Sequence, residues 1–254
     1  MELHHLAQHL SARLRAYFVT GPLREQIIDA AVRLAARAGY TNVGTFEFLV
    51  DLSGRLDMQP FFFIEANARL QVEHTVTEAV TGIDLVQAQI RLARGATLRE
   101  IGLEKPVAPR GYAIQARVNM ETIAEGGSVQ PSSGALTVYE APSGPGVRTD
   151  GFGYAGYRTS SAFDSLLAKV IAHSPSPDFA QCAMRASRAL REFRLEGVAT
   201  NMGSCAIFWR IRISCLETFI RAGWMSISRN LCQSAISGTA SSMRPAMPDT
   251  RGRG

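Results

Sequence analysis

Residues Phe61 to Glu78 read FFFIEANARLQVEHTVTE, and this stretch decides both the fold and the chemistry that the sequence predicts. Its first seven residues are typical of a β-strand, in which successive side chains point to opposite faces. Glu65 and Asn67 then share one face of the strand. A chain that continues extended places three further polar side chains on one face: Arg69, Gln71 and Glu73. Polar groups this dense must be hydrogen-bonded or used.

A second strand is predicted just upstream, at Val43 to Asp51, where the sequence is VGTFEFLVD. Turn-forming residues separate the two strands, so we expect them to pair antiparallel, with Glu47 near Glu65. Two neighbouring carboxylates repel each other unless a cation lies between them. Magnesium fits, because it binds one or two carboxylates together with phosphate oxygens. The pattern therefore indicates a nucleotide-phosphate site.

Simpler interpretations of the same residues stand beside this one. Isolated acids in strands are usually solvated charges on an exposed face, which would account for Glu47 and Glu65. Arg69 and Glu73 would then form a surface ion pair worth about 0 to 1 kcal/mol. Arg148 taken alone carries no information, because arginine is the usual cation of this chain. The interpretation as a site depends on the longer motifs that contain these residues.

Two longer motifs resemble a known family. GTFEFL at Gly44 to Leu49, followed by FIEANARLQVEH at Phe63 to His74, resembles the distal half of the ATP-grasp domain of biotin carboxylases. The resemblance implies that three residues are the metal and ATP ligands: Glu47, Glu65 and Asn67.

The same resemblance implies the remaining roles. Arg69 falls on the catalytic arginine of the family, and Glu73 falls on its general base. Gln71 and the backbone of Val72 fall where bicarbonate is held. Further along, the motif GPGVRTD resembles the segment whose arginine, here Arg148, stabilises the biotin enolate and contacts bicarbonate.

The implied activity is the ATP- and bicarbonate-dependent carboxylation of biotin on a carrier protein. Bicarbonate attacks the γ-phosphate of ATP, the carboxyphosphate breaks down, and deprotonated biotin takes the carbon dioxide. Magnesium or manganese neutralises the phosphates, and arginines offer fixed cationic groups to the oxyanions. The implied partners are a biotin carboxyl carrier domain, a carboxyltransferase component and a second copy of the chain, with no nucleic acid and no membrane.

The likeness extends through the C-terminal domain of the family and implies an α+β fold. It is carried there by GYAIQARVN at Gly111 to Asn119 and FDSLLAKVIAH at Phe163 to His173. We expect four segments along the chain. They are an atypical N-terminal segment at 1–20, the C-terminal half of an ATP-grasp domain at 21–104, a biotin carboxylase C-terminal domain at 105–203 and a tail at 204–254.

Periodicity and turn residues predict the individual elements. Helices are expected at Pro22 to Gly39, Thr77 to Gly95, Asp164 to His173 and Asp178 to Phe193. After the first strand pair, strands are expected at Tyr112 to Asn119, Ala135 to Glu140 and Gly146 to Arg148. Pro106 and Pro109 indicate the boundary between the two domains.

Lysine is nearly absent, with Lys105 and Lys169 the only two among 254 residues. A triphosphate site needs cationic groups and a glycine-rich flap, and residues 1–104 contain no lysine and no glycine cluster. In the family these elements lie upstream of GTFEFL. We therefore expect a partial biotin carboxylase that is inactive on its own. No long apolar run and no signal-peptide pattern occurs, which predicts a soluble cytoplasmic protein.

The tail differs in charge from the rest of the chain. From Ser204 to Gly254 there are seven arginines and two acids, whereas the preceding residues hold 20 bases and 20 acids. A basic tail is often a nucleic-acid contact. We favour another explanation, because a one-base frame shift near Gly203, with suitable codons, yields a sequence that resembles the helical continuation of the family. We hypothesise an out-of-frame, poorly packed tail, with a genuine divergent tail as the alternative.

Other interpretations stay open. Met1 to Thr20 departs from the family pattern and predicts either an amphipathic helix or a misassigned start. Another ATP-grasp ligase is a rival function, although the RLQVEH motif and the matching C-terminal domain disfavour it. A rival of a different class is a non-catalytic subunit that pairs with a full-length carboxylase.

Overall fold

A computed structural model of the chain describes residues 21–50, 61–105, 107–123, 129–160 and 162–202. The expectations for 1–20, for Pro106 and for 204–254 lie outside these residues. The described helices are α1 (Gly21–Arg37), α2 (His74–Thr81), α3 (Leu85–Ala93) and α4 (Phe179–Glu192). The described strands are β1 (Thr45–Val50), β2 (Phe61–Asn67), β3 (Tyr112–Asn119), β4 (Glu121–Ile123), β5 (Val129–Pro131), β6 (Val138–Glu140), β7 (Val147–Gly151), β8 (Leu166–Ser174) and β9 (Arg194–Glu196). The mixed α+β composition agrees with the predicted fold class.

The first strand pair forms as predicted. β1 and β2 run antiparallel, with Glu47 opposite Glu65. Aromatic side chains hold the pair together, since the ring of Phe48 lies edge-on to Phe61 and Phe63 with centroids 5.7 Å apart. In the described part of the chain these strands form a sheet of their own. Its large exposed apolar side chains are Leu49, Phe62, Phe63 and Ile64.

The helix predicted at Thr77 to Gly95 is wrong as a single element, because the chain forms α2 and α3 instead. Gly82 ends α2 with a φ of 75°, a left-handed conformation that glycine adopts easily. Asp84 then begins α3, and its side chain accepts a hydrogen bond from the backbone of Gln87. The buried face of α3 consists of Leu85 and Ala88, which pack in the first core cluster.

A three-stranded antiparallel sheet in the order β3-β8-β7 organises the C-terminal part. Its central strand β8 was expected to be a helix, and that expectation is wrong. The sequence LLAKVIAHS is buried on both faces of the sheet, and a short apolar run of this kind cannot be distinguished from a buried helix by periodicity alone. Helix α4 covers one face through small side chains, among them Ala183, Ala186 and Ala189.

Close backbone packing occurs where β3 begins beside the end of β8. Gly111 has a φ of 66°, and a Cβ atom at this position would overlap the carbonyl oxygen of Ser174. The short strands β4, β5 and β9 were not predicted, because three residues are too few to show alternation. Of the helices that the structure describes, none has the length and apolar content needed to cross a membrane.

Candidate functional site

The register of β1 and β2 brings the two predicted metal carboxylates together. Glu47 lies opposite Glu65, and both accept a hydrogen bond from Asn67 Nδ2, at 3.4 Å and 2.7 Å respectively. No cationic side chain of the described residues lies within ion-pair distance of either carboxylate. Two adjacent acids without a cation fit Mg²⁺, whose other ligands are commonly phosphate oxygens and water.

Asn67 presents its amide nitrogen to the carboxylates and its oxygen Oδ1 to Arg69 Nη2, at 3.4 Å. A metal binds the amide oxygen, so ligation by Asn67 requires the amide to turn over. Among the described residues, no group of three or more histidine, cysteine or acidic side chains could hold a metal. Metal binding by Glu47 and Glu65 therefore stays a prediction, and it would need further ligands such as phosphate oxygens.

The extended chain expected after β2 is not formed, so the prediction of a shared strand face is wrong. The Arg69 N–H donates to the Asn67 carbonyl at 2.8 Å, which turns the backbone immediately after the strand. The His74 N–H donates to the Gln71 carbonyl at 3.2 Å and begins α2. Two turns, rather than a strand, therefore carry the predicted site residues Arg69, Gln71, Val72 and Glu73.

Several polar groups of this loop have no hydrogen-bond partner among the described residues. Gln71 Nε2 donates to Glu47 Oε1 at 3.5 Å, which links the loop to the carboxylate pair, while the buried Gln71 Oε1 has no partner within the described residues. The backbone N–H groups of Val72 and Glu73 likewise have no acceptor there. They lie at the N-terminal end of α2, where the helix dipole favours an anion. These groups fit a small oxyanion that can both donate and accept hydrogen bonds.

Glu73, the predicted general base, pairs with an arginine that is not among the predicted site residues. Arg117 Nη2 on β3 lies 3.0 Å from Glu73 Oε2. The neighbouring contact, from Thr75 Oγ1 to Gln115 Oε1, joins the same two elements. Strand β3 therefore brings a guanidinium from the C-terminal part of the chain to the loop that carries Glu73.

Alternation along β3 was the signal that could have found Arg117. The sequence AIQARVN places Ile114, Ala116 and Val118 on the buried face, where they are 3%, 8% and 0% exposed. The opposite face then carries the polar side chains Gln115, Arg117 and Asn119. What the sequence does not show is which loop this polar face meets, because α2 and β3 are distant in the chain.

Arg148 does not join Glu73 in the structure. Its guanidinium pairs with Glu78 Oε2 at 2.6 Å and with both carboxylate oxygens of Asp150, at 2.7 and 2.8 Å. The hydrogen bonds to Asp150 and Glu78, with their charges, raise the pKa of Arg148 despite partial burial. Burial alone would raise the pKa of Asp150, but Arg148 and Lys169 lower it below the ordinary value. A guanidinium engaged on two carboxylates has few donors left for a substrate.

A cleft of about 570 Å³ lies beside the contact between Arg148 and Glu78. Its lining includes Glu78, Ile83, Val147, Arg148 and His173, and it does not include Gln71, Val72 or Glu73. Arg148 therefore lines this cleft, whereas Glu73 contacts Arg117, and the role predicted for Arg148 stays a prediction.

Comparison with known protein families gives two matches along the chain. Residues 115–208 match the family described as the biotin carboxylase C-terminal domain. Residues 14–101 match the ATP binding domain of the carbamoyl-phosphate synthase L chain. Over 182 residues the chain is 47% identical to pyruvate carboxylase 1 of Caenorhabditis elegans and 46% identical to mitochondrial pyruvate carboxylase of Homo sapiens. Each match covers 71% of this chain and 15% of the relative, so the chain spans a small part of these proteins.

Solved structures show the same similarity. A single-chain, multi-domain long-chain acyl-CoA carboxylase superposes with a TM-score of 0.75 and 40% identity, over 88% of this chain and 24% of that chain. The biotin carboxylase domain dimer of Hydrogenobacter thermophilus 2-oxoglutarate carboxylase, solved with MgADP, ADP and bicarbonate, superposes with a TM-score of 0.68 and 34% identity. That match covers 76% of this chain and 40% of the other.

The fold and the matches define an ATP-binding region of the ATP-grasp type joined to a carboxylase C-terminal domain. One part of the chain matches an ATP binding domain and the other a biotin carboxylase C-terminal domain, and its relatives are pyruvate carboxylases and biotin carboxylase domains, as its motifs predicted.

Proposed function

We propose that the chain supplies part of a centre that carboxylates biotin with ATP and bicarbonate. The observation that supports this most is the pair of Glu73 and Arg117, which joins the two matched regions beside the unused donors of the loop. Glu73 has the position and the chemistry to accept the bicarbonate proton. Arg69, Gln71 and the Val72 backbone would hold the anion, and the arginines would offset the charge it gains.

The carboxylate pair would hold the metal of the nucleotide. Glu47 and Glu65, with Asn67 after its amide has turned, offer oxygen ligands to Mg²⁺ or Mn²⁺. When bound, the ion would neutralise phosphate charge. The protein's own contribution is the link through Gln71, which ties the bicarbonate loop to Glu47 and keeps both parts in one geometry.

We assign to Arg117 the oxyanion-stabilising role that the resemblance implied for Arg148. A guanidinium has five N–H donors, and among the described contacts Arg117 uses one of them, on Glu73. Arg148 uses three of its N–H donors, on Glu78 and Asp150. Free donors beside the proposed base favour Arg117.

Catalysis by the chain alone is not expected. Phosphoryl transfer depends on positioning and charge neutralisation, and residues 1–104 offer no lysine for the triphosphate. The purified chain should therefore release no bicarbonate-dependent phosphate from ATP. It should still bind ¹³C-bicarbonate, which is measured as broadening of the bicarbonate line in the NMR spectrum. Turnover would overturn the proposed inactivity, whereas a lack of bicarbonate binding would overturn the site itself.

Within this proposal the ATP-binding part runs over 21–104 and the C-terminal domain over 105–203. The complete reaction would need a biotin carboxyl carrier domain and a carboxyltransferase component, and the chain would pair with a second copy. The multi-domain acyl-CoA carboxylase and the dimeric 2-oxoglutarate carboxylase domain support these partners by similarity.

A second candidate function is that of a non-catalytic subunit of a complete carboxylase. The exposed apolar side chains of the β1–β2 pair favour it, because Leu49 and Ile64 are 56% and 54% exposed. A pull-down with the tagged chain against a purified complete carboxylase tests this function. Stoichiometric capture would support it, and recovery of the chain alone would exclude it.

A further inference from the structure

A row of charged side chains crosses the three-stranded sheet next to the bicarbonate loop. Lys169 on the central strand β8 lies opposite Arg117 on β3 and opposite Asp150 on β7. Directly paired residues on neighbouring strands point to the same face of the sheet. One face of the sheet therefore carries two cations and one acid in register.

Lys169 is the central and least exposed member of this row. Its side chain is 13% exposed, and its ammonium lies 3.4 Å from Asp150 Oδ2 and 3.5 Å from the carbonyl oxygen of Val72. A charge with so little access to water needs such partners. Asp150, which Arg148 also holds, fixes the ammonium on one side, and the Val72 carbonyl receives it on the other.

The contact with Val72 determines the direction of the next peptide N–H. No cis peptide bond occurs in the described chain, and in a trans peptide the C=O and N–H point in opposite directions. Since the Val72 carbonyl points at Lys169, the Glu73 N–H points away from the ammonium. This N–H is one of the unused donors of the loop among the described residues.

We propose that Lys169 is a positioning residue for the bicarbonate site. It holds the Val72 carbonyl so that the Glu73 N–H and the Glu73 side chain keep the orientation that an anion needs, and it does not itself touch the anion. This inference rests on the proposed function. It assigns a role to one of the two lysines of the chain, on an element outside the ATP-binding region.

Amide hydrogen exchange of the full chain tests the structural part. The His74 and Val76 N–H groups donate to the Gln71 and Glu73 carbonyls, so their exchange reports order at the start of α2. Lys169→Met should speed the exchange of both amides about tenfold, because a hydrogen bond from a charged group is lost. Lys169→Arg should retain most of the protection. Lys105→Met, at the other, exposed lysine, is the matched control and should change nothing.

A ¹³C-bicarbonate titration of the same variants tests the functional part. Lys169→Met should weaken binding about fivefold to tenfold, and Lys169→Arg should restore it to within about twofold of the unmodified chain. Unchanged exchange and affinity in Lys169→Met would overturn the positioning role. If the unmodified chain binds no bicarbonate, the proposed function fails and the anion role of Lys169 fails with it, while the exchange data separately decide whether Lys169 orders the loop. Should Lys169→Met fail to fold, Lys169→Arg decides the question: protection and binding close to those of the unmodified chain would support the positioning role, and a normal fold with binding weakened well beyond twofold would overturn it.

Discussion

The two arginines Arg117 and Arg148 differ in how many of their hydrogen-bond donors are already used by neighbouring carboxylates. Both are half-exposed cations that follow a strand pattern, so their local sequences look alike. Arg117 faces one carboxylate, Glu73, at the start of a helix, whereas Arg148 is held between Glu78 and Asp150. A guanidinium with more unused donors can offer more hydrogen bonds to a substrate oxyanion, and Arg117 has more of them than Arg148 among the described contacts.

The cluster around Asp150 predicts a pH-dependent stability. The pKa of Asp150 is lowered in the folded chain, because Arg148 and Lys169 outweigh the effect of burial. A lowered folded-state pKa stabilises the fold above the unfolded pKa of about 3.9, and this stabilisation is lost as the pH falls through the folded pKa. Asp150→Asn should therefore lower the free energy of unfolding at pH 7, and its difference from the unmodified chain should shrink below about pH 4.

Urea unfolding at a series of pH values measures this effect. Asp29→Asn is the matched control, since Asp29 forms an exposed i,i+4 ion pair with Arg33 and should cost at most about 1 kcal/mol. A difference for Asp150→Asn that stays constant from pH 7 to pH 3 would show that the carboxylate charge contributes nothing.

Local sequence patterns predicted most of the helices and strands, but not the central strand β8. The pairing of Glu47 with Glu65 followed from alternation and turn residues, and α4 lies where a helix was predicted, at Asp178 to Phe193. Strand β8 and the break at Gly82 could not be deduced in this way. A strand buried on both faces has no alternation, and a glycine within a helical pattern can either be tolerated or end the helix, so Gly82 alone did not show the break.

The junction of β3 with β8 depends on a glycine, which gives a prediction at this scale. Gly111 combines a φ of 66° with close contact to the Ser174 carbonyl, whereas Gly95 has a φ of 89° and open space around its Cα. Gly111→Ala should therefore lower the free energy of unfolding by about 2 to 5 kcal/mol, since backbone strain and overlap add. Gly95→Ala, the control, should cost about 1 to 2 kcal/mol, from strain alone. Equal losses in a denaturation experiment would refute the close approach.

In the whole molecule, the proposed site combines residues of both matched regions. Residues 14–101 contain Glu47, Glu65 and Glu73, and residues 115–208 contain Arg117 and Lys169. The sequence motifs predicted the first group because its members are close together in the chain. The second group required the sheet register and the packing of β3 against α2, which depend on tertiary contacts rather than on local pattern.

The most direct test is a ¹³C-bicarbonate titration of the full chain and of two matched variants, Arg117→Gln and Arg148→Gln. Arg117→Gln should weaken bicarbonate binding at least about tenfold, because a charge-assisted contact beside Glu73 is lost. Arg148→Gln should weaken it by no more than about threefold, since Lys169 still holds Val72. Strong loss of binding in Arg148→Gln with normal binding in Arg117→Gln would contradict a site built from Glu73 and Arg117.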